Sequence, residues 1–301
     1  MIYIDISKYT PSSEWLDIAD GLTTQLLKLT DSDDINKFID DKKHQKHWSI
    51  LKATLPYSEK CWISEAKEVS PRTIEHFRPK KMVCRTSVTK KEFPTFNEAQ
   101  RKDWTKATNY KGRGYWWLTF DYKNFRVCLS DINSKKSNRF PLKLGSSIAY
   151  TNTDNHNSEI FFLLDPTKKG DANLITFEPD GKVKPSETDV SKDEFIRADV
   201  SIKIYGLNDI KPLVDHRNTK WKDCYELIKD NQYFYPLIKA VLEESADIDD
   251  SLIDPLERFH SKCKQLQDLI SPKSEYSAVA KTCLQSYANS YTWIKDYVLP
   301  S

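Results

Sequence analysis

The chain has 301 residues, 39% of them hydrophobic, which is enough for one large core or two modest ones. Charged residues make up 30%, mean hydropathy is −0.65, and no apolar run approaches the ~20 residues of a membrane helix, which excludes an integral membrane protein. Only 7 glycines occur, and Gly112-Arg113-Gly114 runs into Tyr115-Trp116-Trp117 instead of a third glycine and a helix, which excludes dinucleotide-binding and P-loop chemistry.

The first residues, Met1-Ile2-Tyr3-Ile4-Asp5, carry no basic stretch followed by an apolar one, so a cytoplasmic protein is expected. Tyr3 and Ile4 suit a short strand. Ser12-Ser13-Glu14-Trp15 suits a helix start, and Leu22, Leu26, Leu27 and Leu29 continue at helical spacing. Ile35, Phe38 and Ile39 open a second helix that the pattern carries to Leu55-Pro56; His44 and His47 lie on it three apart among Lys42, Lys43 and Lys46, which suits a solvated face.

From Cys61 to about Lys143 short extended runs alternate with polar stretches, and Thr86 to Lys111 forms a long insertion of little periodicity. Ile160 to Leu164, Leu174 to Phe177 and Ser201 to Tyr205 read as strands of a small antiparallel unit, with turns at Asp165-Pro166 and Asp180-Gly181. Beyond Asn208, helices are predicted over Leu213 to Ile228, Tyr235 to Glu244, Leu252 to Leu269 and Tyr276 to Val298. The acidic cluster Glu243, Glu244, Asp247, Asp249, Asp250 and Asp254 falls on a connector between two of them. The resulting division is 1–60 helical, 61–145 a central core, 146–209 a β-rich accessory unit and 210–301 helical, an α+β fold overall.

The formal charge of +2 conceals an asymmetry. Between His76 and Lys143 stand 17 Lys and Arg against 5 Asp and Glu, an excess of +12, whereas the remainder carries 29 against 39. Trp104, Tyr110, Tyr115, Trp116, Trp117, Phe120, Tyr122 and Phe125 are interleaved with those cations. The combination suits a nucleic-acid backbone, where Lys and Arg displace counterions and rings stack on bases, but composition alone favours a solvated basic face over an aromatic core.

Within this segment Ile74-Glu75-His76-Phe77-Arg78-Pro79-Lys80 puts a carboxylate and an imidazole at the end of a short strand. Asn124 lies in a second extended run. In Ser130-Asp131-Ile132-Asn133-Ser134-Lys135-Lys136, Ser130 is a candidate cap, and Asn133 and Lys136 share a helix face. A histidine with a pKa near neutrality can deprotonate a water, and a carboxylate with an amide oxygen can hold a hard cation that keeps most of its waters.

At these residues the sequence resembles the HNH endonucleases, and more narrowly the PtuB-like nucleases of Septu-type and retron-linked antiphage systems. The resemblance rests on Cys61 to Glu65, Ile74 to Lys80, Gly114 to Leu118, Asp121 to Asn124 and Asn133 to Leu142. It continues through Leu163 to Pro166, Phe177 to Gly181, and Tyr205 to Asn208 with Arg217. It implies a ββα-metal (HNH) nuclease core over 61–145, with His76 as general base, Glu75 and Asn133 holding Mg²⁺ or Mn²⁺, and Asn124 bracing the loop that orients His76. Arg78, Lys80, Lys81, Arg113, Lys135, Lys136 and Arg139 are the corresponding nucleic-acid-binding candidates.

Related families hold the fold with two Cys-x-x-Cys pairs around zinc. Here those positions read Cys61/Ser64 and Cys128/Asp131, so Cys61 and Cys128 are residual positions of such a site and structural zinc is not predicted. The resemblance further implies hydrolysis of DNA, or of RNA such as a tRNA, as the toxic effector of antiphage defence. The implied partners are an ABC/SMC-type ATPase (PtuA-like) and, in a retron complex, a reverse transcriptase with its RNA–DNA hybrid. The alternative is a catalytically silent adaptor that keeps the fold to bind such a partner or nucleic acid.

Overall fold

The computed structural model describes residues 1–84, 111–143, 145–243, 245 and 249–299. Thr86 to Tyr110, with Trp104, and Glu244 and Asp247 of the acidic cluster lie outside them. The chain is α+β and divides into two units, one built from Tyr3–Ile175 with Lys184–Ile210, the other from Thr176–Val183 with Lys211–Ser301. Among the described residues no helix is long and apolar enough to cross a membrane.

The first unit begins with three helices whose starts are written in their capping residues. Ser12 Oγ accepts from the Trp15 amide ahead of α1 (Ser13–Leu27), and Asp31 accepts from Asp33 and Asp34 ahead of α2 (Ser32–Asp40). The expected single second helix is two: Asp41 is extended (φ −58°, ψ 123°) and its carboxylate caps α3 (Lys42–Leu51) through the Lys43 amide. Tyr3 and Ile4 form no strand; a 3₁₀ turn follows at Ile6–Lys8. His44 and His47 are not on a solvated face. His47 is buried and stacked on Trp15 at 4.5 Å, and His44 sits 4.0 Å from the Phe38 ring with Nδ1 2.7 Å from the Phe38 carbonyl.

Next come β1 (Arg72–His76), β2 (Met82–Cys84), β3 (Lys111–Arg113) and β4 (Phe125–Leu129). β1 pairs antiparallel with β4, Glu75 opposite Arg126 and His76 opposite Phe125, and β2 pairs antiparallel with β3. β4 runs straight into α4 (Ser130–Lys136). Ser130 is the first helical residue and not the cap: the capping position is Leu129, whose apolar side chain cannot accept a hydrogen bond, and the Ser130 amide instead donates to the Pro71 carbonyl at 2.8 Å.

The β-rich reading of 146–209 shrinks to one hairpin, β5 (Ile175–Phe177) and β6 (Val183–Pro185). Ser201 to Tyr205, read as a strand, closes α5 (Asp193–Ile204). Ala198, Val200, Ser201, Ile202, Ile204 and Tyr205 are all buried, and a helix enclosed on most sides carries apolar residues at a spacing of two as readily as at 3.6. Ile160 to Leu164 makes only an isolated bridge between Phe161 and Leu142; Leu164 gives its amide to Ser201 Oγ instead of a neighbouring strand.

The second unit is helical. The predicted Leu213–Ile228 and Tyr235–Glu244 helices are one, α6 (Lys211–Leu242), which continues through Pro236. α7 (Asp250–Ile270) starts on Asp249, and the expected Tyr276–Val298 helix is broken into α8 (Ser277–Tyr287) and α9 (Trp293–Tyr297). Trp221, Ile228, Phe259, Leu266, Leu284 and Trp293 make its apolar core.

Candidate active site

Alternation along a strand sends neighbouring side chains to opposite faces. Glu75 and His76 escape this because β1 ends at His76 and the chain turns at Phe77, whose amide donates to the Asn124 carbonyl at 2.9 Å. Both therefore line one cavity of about 470 Å³, together with Asn133 from α4, Trp48 from α3, and Lys80 and Lys81 from the turn after β1.

The turn is clamped from two sides. Asn124 Oδ1 accepts from the Arg78 amide at 2.8 Å while its Nδ2 donates to the Arg78 carbonyl at 3.0 Å. Gly114 and Tyr115 donate their amides to the Lys81 and Pro79 carbonyls. A side chain at position 114 would collide with those two carbonyls, which explains the glycine.

His76 is buried between Trp48 and Phe125, with ring centroids 5.2 and 5.0 Å away. Its Nε2 lies 2.9 Å from the Thr119 carbonyl, an acceptor only, so Nε2 carries the proton and Nδ1 keeps the lone pair. Lys80 Nζ donates to that nitrogen at 3.2 Å and stands 5.2 Å over the Trp48 ring. Burial, reinforced by the Lys80 ammonium, holds the imidazole well below its usual 6.5, so His76 is a neutral base.

Beneath it Lys136 donates to Glu75 Oε1 and, at 3.3 Å, to the His76 carbonyl. Burial raises the Glu75 carboxyl above its usual value, and Lys136 only partly offsets this. Asn133 Nδ2 donates to Thr73 Oγ1 at 3.1 Å, which leaves Oδ1 without a hydrogen-bond donor among the described residues. Glu75 and Asn133 are thus hard oxygen donors on one cavity, a set that fits a divalent cation completed by water and substrate oxygens. Among the described residues no three His, Cys, Asp or Glu side chains gather as a fuller cage.

The cationic candidates separate. Lys80 and Lys81 line the cavity and Arg113 lines its neighbour. Lys136 is fully buried on Glu75, so it does not face a phosphate. Arg78 is turned inward as well: it pairs with Glu159 at 3.2 Å and packs over Phe140, Phe161 and Tyr115. Lys135 lies 3.9 Å from Asp209, and Arg139 donates to the Ile204 and Lys135 carbonyls, both outside the cavity lining.

Cys61 and Cys128 are both buried: burial pushes both thiols up, and hydrogen bonding at Cys61 more than reverses this there. With Ser64 donating to Cys61 and Asp131 exposed, these positions do not fit a four-ligand zinc site. Sequence reasoning missed Trp48, Asp40 and Gln45, which wall the cavity from α2 and α3. It also missed Thr119, whose contribution is a backbone carbonyl and leaves no side-chain signal. No protein-family model matches the sequence, and a comparison with curated proteins likewise finds no match.

Proposed function

We propose that the chain is a metal-dependent HNH-type endonuclease that hydrolyses phosphodiester bonds of DNA or RNA. The observation that carries the reading is the His76 imidazole, neutral, with Nε2 anchored on Thr119 and Nδ1 held by Lys80, in the lining of a cavity that also takes in Glu75 and Asn133. The succession of β1, β4 and α4 is the one expected of a ββα-metal core.

In this reading His76 Nδ1 takes a proton from the attacking water. Nδ1 is available only once Lys80 leaves it, and an incoming phosphate gives the Lys80 ammonium a stronger acceptor than imidazole. Asn124 keeps the turn behind His76 from yielding, and Thr119 fixes the tautomer. A divalent cation on the Glu75 and Asn133 oxygens would supply positive charge for the scissile phosphate and the leaving 3′ oxygen. Lys136 holds Glu75 in place from below. The sequence resemblance extends the proposal to a toxic effector of antiphage defence under the control of a partner ATPase, with 5′-phosphate and 3′-hydroxyl products.

A second reading, a silent adaptor, draws on the same site: Lys80 occupies His76 Nδ1 and Lys136 occupies Glu75. Purified protein, alone and with its partner ATPase, incubated with plasmid DNA and total cellular RNA in Mg²⁺, Mn²⁺ or EDTA separates the two. Cutting that needs metal and disappears in His76→Ala supports the enzyme. No cutting in any arm, with His76→Ala still effective in cells, supports the adaptor.

A further inference from the structure

Beside the candidate active site lies a second cavity of about 510 Å³, within the roughly 300–1,000 Å³ of small-molecule sites. Its apolar wall is Ile35, Met82 and Trp116, and Met82 is 54% exposed, a large apolar side chain left open to solvent. Ser32, Asn36 and Arg113 supply hydrogen-bonding groups around that wall.

The two cavities share Asp40, Lys80, Lys81 and Met82. Lys81 is paired with Asp40 on an exposed rim, where an ion pair is weak and readily exchanged for a phosphate. Lys80 has no carboxylate partner among the described residues. An anion bridging both ammonium groups at this rim would have the His76 cavity on one side and the apolar wall on the other.

We propose that the second cavity receives the unstacked base of the nucleotide adjoining the phosphate held at Lys80 and Lys81, and hence that the substrate strand is unpaired there. The inference rests on the nuclease reading for the position of that phosphate. A paired base is stacked on its neighbours inside the helix and cannot reach a wall lying across its own backbone phosphate. An unpaired base can. Met82 offers it an exposed, polarisable sulfur backed by the largely buried Trp116, an apolar surface that takes any base, and Asn36 offers both a donor and an acceptor to its edge.

The test measures binding of full-length His76→Ala protein, which leaves the probe intact, to a fluorescent 12-nucleotide strand and to its duplex, in DNA and RNA forms. The expected result is about tenfold tighter binding of the strand, the scale of one stacked base. In a Met82→Ala background that preference shrinks below threefold, whereas Lys81→Ala weakens strand and duplex alike. Equal binding of strand and duplex, or a preference that survives Met82→Ala, overturns the subsite. A strand preference that depends on Met82, in a wild-type protein that cuts nothing, removes the nuclease reading and leaves the base subsite standing.

Discussion

Around β1 and β4 the first unit encloses Lys60 with Glu65, Lys136 with Glu75 and Arg126 with Asp165. The helices of the second unit enclose Trp221, Ile228, Phe259, Leu266 and Trp293, and among the described residues their one buried charged side chain is Arg217. Apolar packing is the cheaper way to fill a core, since a buried ion pair is often no more stable than hydrophobic residues of the same volume. Where a chain buries charge nonetheless, and shifts the titration of a histidine and a glutamate side by side, the proposed hydrolysis offers a reason for the Glu75 and His76 pair that stability does not. Among its described residues the helical unit offers no such cluster.

Substitutions can break this contrast or sharpen it. The largest effect is expected from His76→Ala, which should lower metal-dependent cleavage by at least about 100-fold, the lower end of general-base catalysis, with an unchanged circular dichroism spectrum. An unchanged cleavage rate would return the buried charges to a structural role. Lys136→Met or Glu75→Gln, each leaving a buried partner alone, should destabilise the protein by roughly 3–5 kcal/mol in urea unfolding. The double variant Glu75→Leu/Lys136→Met should recover most of that stability and none of the activity.

In the helical unit Ile228→Ala should cost roughly 2–5 kcal/mol through the cavity it leaves, while cleavage per folded molecule stays as it was. Asn124→Ala removes two hydrogen bonds from the Arg78 backbone and should cost about 1–3 kcal/mol, with kcat falling more than KM because the loosened turn carries the base. The smallest effect concerns acid. Burial pushes the Asp165 carboxyl up, but Arg126 and Thr167 outweigh it and hold it below its usual 3.8. Its stabilisation is therefore full above that value and lost as pH falls through the folded one, with a slope of at most about 1.4 kcal/mol per pH unit for this proton. Urea midpoints measured toward pH 3 should show a shallower acid limb in Asp165→Asn.

Much of the candidate site's geometry was legible. Glu75 and His76 fall at a strand end because Pro79 and the polar run around it stop the extended pattern, and Asn133 lands on the helix that follows β4. The cations were the harder part. Composition counts a charge without saying which way it points, and Arg78, Arg126 and Lys136 sit inside on Glu159, Asp165 and Glu75, acids that lie up to 81 residues away in sequence. The walls contributed by α2 and α3 were hidden for the same reason. Trp48 and Asp40 carry no local mark of a site until the fold brings them against the turn after β1. Ser201 to Tyr205 misled because burial on most sides erases the helical period.

Lys136 gives Glu75 an internal counter-ion that travels with the chain. Many ion-binding sites gather several carboxylates, repel themselves when empty and fall apart under chelation. The candidate site proposed for Glu75 and Asn133 is charge-balanced at rest, so an arriving divalent ion would compete with an ammonium already in residence. Under the proposed metal chemistry loading would be loose and exchangeable, and occupancy would be coupled to the free concentration of the ion and to the arrival of a polyanion that can share it.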